Sequence, residues 1–484
     1  MAVKFNWLDN STIVFLPIVI LIHHLVQKFF IAFSISVLSS IATYSQDLVA
    51  TVTPAGTPSN IQGMMIGVDV FLSMNVQGSQ APFAVMINPD GEQRTLDLSA
   101  IGANPLVAGV KSGDSTFFYF LKQVNKVTGI ASMVLDNQTD KSHVLPYHFD
   151  VPGEIYGSYI EGQDMFMLCG VKNEYKLRLL QFRAGKLFDK SEFPLTFNLG
   201  KSKTQRITFF DMANPVTPSQ AVGHVKICKD GRTIWILVDE PKNDRDVTQT
   251  EKTLFRTTAV KLNLDTKQTT VKSFYESEPV AFTSHPLGND VYRLVLSANG
   301  FRVDQFNFNT AKKVNSVILE HGTEPGRDST YARLGGLKTE KNVKRVPLIK
   351  RYMGSFLIVD SLSNGERVFT IGDYGDNYSS LPFVAAPFPI VGLILTSSSL
   401  IVGELVEGRL STSYSYYRGW MNKGVHATYQ VPFLRKVVDD YDYNQLKRKV
   451  RLEYRGYINL PTATFEITQQ GRLSAIEIRK FQLR

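Results

Sequence analysis

Residues 224–240, HVKICKDGRTIWILVDE, and residues 257–274, TTAVKLNLDTKQTTVKSF, decide the fold of this chain. Each stretch contains two short runs rich in Val, Ile, Leu and Thr, which are typical of β-strands. Tight polar turns separate the runs, KDG at 229–231 and DTK at 265–267. The two stretches therefore predict one sheet of four antiparallel strands, with both turns at the same end of the sheet.

The same pattern, an apolar alternating strand followed by a tight turn and a polar strand, occurs eight times along the chain. Most copies follow a further hydrophobic strand, such as DVFLSMNV at 69–76 and DVYRLVLSA at 290–298. The copies recur at a common spacing of roughly 45 residues, the size of one four-stranded repeat unit. Their turn residues are Gly91, Asn137, Gly185, Asp265, Asn309, Gly365, Gly408 and Gly471.

This repeat resembles the β-propeller superfamily at the level of architecture, over nearly all of the chain after the N-terminal segment. The resemblance implies an all-β fold, a single β-propeller of seven or eight four-stranded blades. No signature of a particular propeller family is present: the chain has no Trp-Asp dipeptide at the repeat ends, no kelch double glycine and no Asp-box. A pair of β-sandwiches is the alternative fold, although it does not explain the spacing.

A propeller must join its ends, because an open ring leaves unpaired strand edges. We therefore expect the first strands after Gln46 to pair with the last strand, SAIEIRKF at 474–481.

The N-terminus has the features of an export segment. Two apolar runs occupy 13–26 and 29–42, and the second follows Lys28 and ends in small residues, as a signal peptide does. We predict cleavage after Ser45, with a hydrophobic leader over 1–45 and a β-propeller domain over 46–484. An uncleaved membrane anchor and a physiological start near Lys28 are the alternatives. In either case the propeller is expected outside the cytoplasm, in the periplasm, at the cell surface or secreted.

Composition sets further limits on this chain of 484 residues. Its hydrophobic fraction of 43% is that of a globular protein, and its net charge of +9 is too small for its length to imply nucleic-acid binding. The two cysteines, Cys169 and Cys228, lie in apolar strand patterns of different blades, so we expect both to be unpaired and buried.

Candidate binding residues lie in the longer segments between the strands, where a rigid scaffold usually carries its function. These segments are 240–256, 320–335, 372–383 and 417–443, and we expect all of them on one face. Exposed aromatic rings in these segments could bind a partner, and a basic rim over 333–351 is a separate candidate surface. The candidates are Tyr374, Tyr378, Tyr417, Trp420, Lys344, Arg345, Lys350 and Arg351.

Chemistry that would identify an enzyme is missing from the sequence. It has no GxSxG, HExxH or P-loop motif, and we expect no cofactor. Asp373 and Asp376 form a weak oxygen cluster for a metal ion, and we favour a simple turn over a metal site there. We expect a binding or scaffold module for protein or glycan in the cell envelope, touching the membrane only through the N-terminal segment. A glycan-active hydrolase or lyase, with carboxylates assembled from several blades, is the alternative.

Overall fold

The computed structural model describes residues 44–79, 81–102, 104–124, 127–171, 174–197, 199, 207–214, 216, 218–240, 254–277, 281–297, 300–320, 330–334, 338–342, 355–361, 367–375, 413–420, 452–459, 463–470 and 475–483. They form thirty strands and one short helix. The compact unit that holds the sheets spans Gln46–Phe481. Apart from its last two residues, the predicted leader lies outside the described part of the chain.

Sheets 1 to 3 are four-stranded, and their strands follow chain order. Sheet 1 contains β2 (Pro58–Ile66), β3 (Asp69–Val76), β4 (Phe83–Ile87) and β5 (Gln93–Asp97). Sheet 2 contains β6 (Leu106–Ser112), β7 (Ser115–Val124), β8 (Val127–Asp136) and β9 (Ser142–Asp150). Sheet 3 contains β10 (Glu154–Glu161), β11 (Asp164–Gly170), β12 (Lys176–Arg183) and β13 (Lys186–Pro194).

Sheets 4 and 5 continue the series, and sheet 4 has a fifth strand. Sheet 4 contains β14 (Ile207–Asp211), β15 (Val225–Asp230), β16 (Thr233–Glu240), β17 (Leu254–Asn263) and β18 (Thr269–Ser277), with the helix α1 (Pro218–Ala221) between β14 and β15. Sheet 5 contains β19 (Ala281–Leu287), β20 (Asp290–Ser297), β21 (Gly300–Asn307) and β22 (Lys312–Glu320).

Sheets 6 and 7 depart from chain order. Sheet 6 has the spatial order β25 (Ser355–Ser361), β26 (Arg367–Gly375), β27 (Ser413–Trp420), β23 (Thr330–Leu334) and β24 (Lys338–Asn342). Sheet 7 has the order β28 (Leu452–Asn459), β29 (Thr464–Gln470), β30 (Ile476–Leu483) and β1 (Tyr44–Val52).

Neighbouring sheets pack face to face around a common axis. In chain order, β2 contacts β6, β6 contacts β10, β10 contacts β14, β16 contacts β19 and β19 contacts β25. The series returns to its start, because β28 of sheet 7 contacts β2 of sheet 1. Seven sheets of this kind are the blades of a β-propeller, so the fold class predicted from the sequence is confirmed with seven blades.

The cores lie between the blades. Phe71 of sheet 1 packs on Phe118 of sheet 2, with ring centroids 5.5 Å apart. Trp235 of sheet 4 meets Phe308 of sheet 5 edge to face at 4.8 Å. Central strands such as β11 are consequently buried almost throughout, whereas the outermost strand β9 alternates between exposed and half-buried residues. This explains why the sequence shows apolar runs and polar strands in turn.

Glycines in the innermost strands allow the blades to approach closely. A Cβ atom at Gly63 would lie 2.7 Å from the Ile467 side chain of sheet 7. One at Gly109 would lie 2.2 Å from the Ile66 side chain of sheet 1. At Gly157 it would lie 2.4 Å from the Phe209 ring. The absent side chain leaves the space that the neighbouring blade fills.

A strap crosses the inner side of the ring. We use this name for residues 207–224, which comprise β14, α1 and the chain up to β15. Strand β14 pairs in parallel with β15, a connection that requires the chain to cross back between the two strands. During this return α1 contacts β25 and β26 of sheet 6. The Phe210 ring stacks on His285 of sheet 5 at 5.8 Å. The strap thus joins sheets 4, 5 and 6.

Not every copy of the sequence repeat marks the same place in a blade. The turns at Gly91, Asn137, Gly185, Asp265 and Asn309 join the last two strands of sheets 1 to 5. Gly365 falls between β25 and β26 of sheet 6, Gly471 falls between β29 and β30 of sheet 7, and both residues lie outside the described part of the chain. Gly408 lies outside the described residues. Eight copies therefore correspond to seven blades.

Both cysteines are unpaired and buried, as the sequence predicts. Burial raises the pKa of the Cys169 thiol to about 12 and also raises that of Cys228. Neither thiol is a nucleophile near neutral pH, because the reactive form is the thiolate.

Ring closure gives the first testable prediction. Deletion of residues 473–484 removes β30, which lies between β29 and β1, and leaves β1 without a partner. We expect the shortened protein to lose its cooperative thermal transition, measured by circular dichroism. Removal of Arg484 alone is the control, since that residue follows the last strand. A 12-residue truncation that melts like the full chain would contradict closure by this pairing.

Candidate functional site

The two ends of the ring differ in how the strands are connected. We call one end the turn face. There, two-residue turns join β2 to β3, β6 to β7, β10 to β11, β15 to β16 and β19 to β20. Each begins with a glycine at a positive φ between 56° and 65°, the place that glycine takes in a type II′ hairpin turn. The glycines are Gly67, Gly113, Gly162, Gly231 and Gly288.

Polar side chains join neighbouring blades across the turn face. Ser112 Oγ of sheet 2 donates to Gln163 Oε1 of sheet 3 over 3.0 Å. Arg232 Nη1 of sheet 4 lies 2.9 Å from Glu161 Oε1 of sheet 3. Lys261 Nζ of sheet 4 donates to Asn289 Oδ1 of sheet 5 over 2.7 Å. Side-chain contacts on this face thus join sheet 2 to sheet 3, sheet 3 to sheet 4, and sheet 4 to sheet 5.

The opposite end, which we call the loop face, carries the longer connections. Residues 241–253 leave it between β16 and β17, and residues 376–412 leave it between β26 and β27. The corresponding connection in sheet 2 covers only residues 125–126. The loop face therefore varies between blades, whereas the turn face repeats.

The structure separates the aromatic candidates. Tyr374 lies near the loop-face end of β26 and is in register with Tyr414 of β27. Tyr417 is in register with Ile371, inside a strand with neighbours on both sides. Trp420 is in register with Val368 and so lies at the turn-face end. The expectation that the segment from 417 onward is a loop-face connection is therefore wrong for Tyr417 and Trp420.

The remaining candidates can be placed only in part. Asp373 lies in β26, in register with Ser355 and Ser415. Outside the described residues lie Asp376, Tyr378, Lys344, Arg345, Lys350 and Arg351. Their assignment to a binding surface stays a prediction from the sequence.

A charged cluster that sequence reasoning missed occupies the loop-face end of sheet 3. Arg178 Nε donates to Glu192 Oε1 over 2.9 Å, and Lys176 Nζ donates to Glu192 Oε2 over 2.8 Å. Lys190 adds a third cation at 3.1 Å. These hydrogen bonds, led by that from Lys176, lower the pKa of Glu192 from its ordinary 4.5 to about 2. Lys176 and Arg178 lie in β12 and Lys190 and Glu192 in β13, so the pairing register of these two strands brings the charges together.

A buried ion pair lies under the loop face between sheets 4 and 5. Lys226 Nζ lies 2.9 Å from Asp239 Oδ2, and both side chains are almost completely shielded from solvent. Lys226 also donates to Thr283 Oγ1 of sheet 5 over 2.7 Å. Asp239 accepts hydrogen bonds from Thr257 Oγ1 at 2.8 Å and from the Ser284 backbone N–H at 2.9 Å. The ammonium group and both carboxylate oxygens are therefore hydrogen-bonded within the protein.

This pair has the features of a structural element. It is almost completely shielded from solvent, and its hydrogen bonds tie β15, β16 and β17 to β19.

Within the ranges that the structure describes, no group of three or more His, Cys, Asp and Glu side chains could hold a metal ion. The described part of the chain also contains no helix long and apolar enough to span a membrane.

Comparison with known proteins identifies no family for this chain. No protein-family model matches the chain, and no curated protein matches it. Among solved structures, the β-propeller domain of the Trilobed protease from Pyrococcus furiosus is similar at 11% identity and a TM-score of 0.28. That similarity covers 65% of this chain and 91% of that domain. The protein is a β-propeller on the topology of its own sheets.

The buried pair yields a prediction about stability. Substitution of Lys226→Met leaves Asp239 charged and shielded without its cation, which typically costs about 3–5 kcal/mol. We expect a loss of this size in the free energy of unfolding, measured by urea titration. Lys141→Met, at an exposed position, is the matched control. Equal stability of the two variants would show that the pair does not hold sheets 4 and 5 together.

The cluster of sheet 3 yields a prediction about pH. Because folding lowers the pKa of Glu192, its contribution to stability is full above about pH 4.5 and is lost as the pH falls toward 2. Glu192→Gln should therefore lower the thermal midpoint at pH 7, and the difference from wild type should shrink toward pH 2. Asp189→Asn, an exposed change on the same strand, is the control. A difference independent of pH would contradict the ion-pair interpretation.

Proposed function

We propose that this protein is an exported binding or scaffold module that recognises a protein or glycan of the cell envelope through its loop face. The contrast between the two faces carries the proposal. Two-residue turns cover one face in five blades, while residues 241–253 and 376–412 leave the other. Connections on one rim of a rigid scaffold can vary without disturbing the core, and binding residues are concentrated in such places.

The charge and location of the candidate residues support this use of the loop face. Tyr374 and Tyr414 lie next to the segment 376–412, and tyrosine is favoured at interfaces because it combines apolar area with a hydrogen-bonding group. The cluster around Arg178 adds cations at the loop-face end of sheet 3. Tyr378 and the basic residues of 344–351 would extend the surface. Tyr417 and Trp420 have less support, given their position in β27.

The export proposal rests on the sequence of the N-terminal segment. Its second apolar run and small-residue end fit a signal peptide, and periplasmic, cell-surface and secreted destinations are all compatible with them. We favour a binding role over an enzymatic one because the sequence has no GxSxG, HExxH or P-loop motif, and because the buried charges of Lys226 and Asp239 are hydrogen-bonded within the fold. An enzyme would require carboxylates that converge on a free space.

The binding proposal predicts which face captures a partner. Replacement of residues 379–409 by a short Gly-Ser linker should abolish capture of proteins from a detergent-solubilised envelope extract, and binding to an immobilised glycan panel, while the thermal midpoint stays close to that of wild type. Glu92→Lys with Lys141→Glu, both exposed on the turn face, is the control and should leave capture unchanged. Loss of capture in the control, with retention in the linker variant, would assign binding to the turn face.

A further inference from the structure

Among the described strands, the outermost one of each blade has a neighbour on one side only. In sheets 1 to 5 these edge strands are β5, β9, β13, β18 and β22, each the last strand in the order of its sheet. The unpaired backbone groups of such an edge can pair with another chain, and proteins usually prevent this with charged side chains, proline or a short strand. An edge that lacks these features is open to a partner.

Four of these edges are protected or expose little apolar surface. β5 has only five residues, and β9 contains Pro146 at an exposed position. β13 exposes Lys190 between other charged residues, and its exposed ring, Phe188, lies 4.1 Å from the Arg183 guanidinium. β18 exposes one large apolar side chain among those described, that of Tyr275.

The fifth edge, β22, is different. It has nine residues and no proline, and two aliphatic side chains in its middle part face solvent. Val314 is 61% exposed and Ile318 is 67% exposed. Its charged residues are confined to the ends, with Lys312 and Lys313 at the start and Glu320 at the finish. β22 therefore presents an apolar edge with a basic end and an acidic end.

Contacts on its inner side hold β22 in place. It pairs with β21 along its whole length, and Ser316 Oγ donates to the buried Asp304 carboxylate over 2.7 Å. Lys313 Nζ lies 3.4 Å from the same carboxylate. One bulge interrupts the pairing, where Val314 is an extra residue between Lys313 and Asn315. The exposed edge is thus a fixed part of sheet 5.

The bulge decides which side chains of β22 share a face. Residues after the bulge are opposite even-numbered residues of β21 when they are even-numbered themselves, whereas Lys313 is opposite Phe306. Because alternate residues of a strand point to the same side, one face carries a basic residue, an apolar residue and an acidic residue in a row with a serine. These are Lys313, Ser316, Ile318 and Glu320.

We propose that β22 pairs antiparallel with β22 of a second copy of this chain, so that the two copies of sheet 5 form one sheet of eight strands across a two-fold axis. The strand is complementary to itself in this direction. The basic end of one copy lies beside the acidic end of the other, and Lys313 and Glu320 are on the same face for both contacts. A parallel pairing would instead bring like charges together.

The same pairing covers the apolar part of the edge. When it is centred on Ser316, Val314 of one copy lies close to Ile318 of the other, and the two-fold axis repeats this contact. Both side chains are then removed from solvent. The charge pattern of β22 matches its own reverse, which favours a second copy over an unrelated strand as the partner.

The dimer has a consequence that goes beyond the proposed function. β22 runs from the turn face to the loop face, as the turn between β21 and β22 lies at the same end as that between β19 and β20. Antiparallel pairing therefore points the loop faces of the two copies in opposite directions and leaves both open. Such a dimer can hold two partners at once, whatever their chemical class.

Sedimentation velocity of the full chain tests the pairing. We expect a species of twice the chain mass that dissociates on dilution. Ile318→Lys should weaken association about tenfold or more, because it buries an ammonium group in the interface, while the circular dichroism spectrum stays that of wild type. Ile160→Lys, at an exposed isoleucine of sheet 3, is the control and should associate as wild type does. A monomeric wild type, or equal association of Ile318→Lys and wild type, would overturn the proposal.

A cysteine variant tests the register and does not depend on the fate of Ile318→Lys. At the centre of the pairing, Ser316→Cys lies opposite its own copy, with Cα atoms about 5 Å apart, which is within reach of a disulfide. The natural cysteines are both buried, so they do not compete. Oxidation should give a disulfide-linked dimer on a non-reducing gel, whereas Ser99→Cys, an exposed change in sheet 1, should not. Association of wild type without this crosslink would place the interface elsewhere and refute the β22 pairing. Protection of the β22 edge by another envelope protein, with the chain itself monomeric, would also refute it.

Discussion

The pairing of β1 with β30 is the interaction on which the rest of the structure depends. Each blade buries its two faces only if a neighbour stands on each side, so a ring of seven blades has no stable end. Sheet 7 takes three strands from the C-terminus and its fourth from Tyr44–Val52. The chain then continues directly into sheet 1, so one strand holds the first and last blades together covalently and by hydrogen bonds. Such closure makes the blades one cooperative unit, unlike the open stacks of other repeat proteins.

The sequence predicted the fold where local signals and blade geometry agree. The four strands read from 224–240 and 257–274 are β15 to β18, with turns at the expected places. Here a turn residue with a positive φ and alternating apolar residues both point to the same register. The same agreement explains why the turns at Gly91, Asn137 and Gly185 mark successive blades.

The pattern failed where the partner of a strand is distant in sequence. A hairpin signal reports only that two consecutive strands pair, so the turns at Gly365 and Gly471 could not show which position in a blade they occupy. No local feature of 330–334 indicates that this strand pairs with 413–420, although the hairpin of β25 and β26 lies between the two strands in the chain. The parallel pairing of β14 was also hidden, because a short run such as ITFFD reads the same whichever neighbour it joins.

The candidate site shows the same limit. Trp420 follows a run of tyrosines and looks like the start of a loop, but its register with Val368 keeps it in the strand. Lys226 alternates with apolar residues in VKICK and therefore reads as a solvent-facing side chain. In the structure it is buried because sheet 5 covers that face of β15, and Thr283 and Asp239 satisfy its charge.

The strap has a consequence for how the chain avoids misassembly. Blades built on one pattern are nearly interchangeable, and repeat proteins are prone to swapping equivalent parts between copies or between molecules. Among the described residues the strap occurs once, in sheet 4, and it contacts sheets 5 and 6, which follow sheet 4 in the chain. The strap therefore distinguishes sheets 4, 5 and 6 from the other blades of an otherwise repetitive ring.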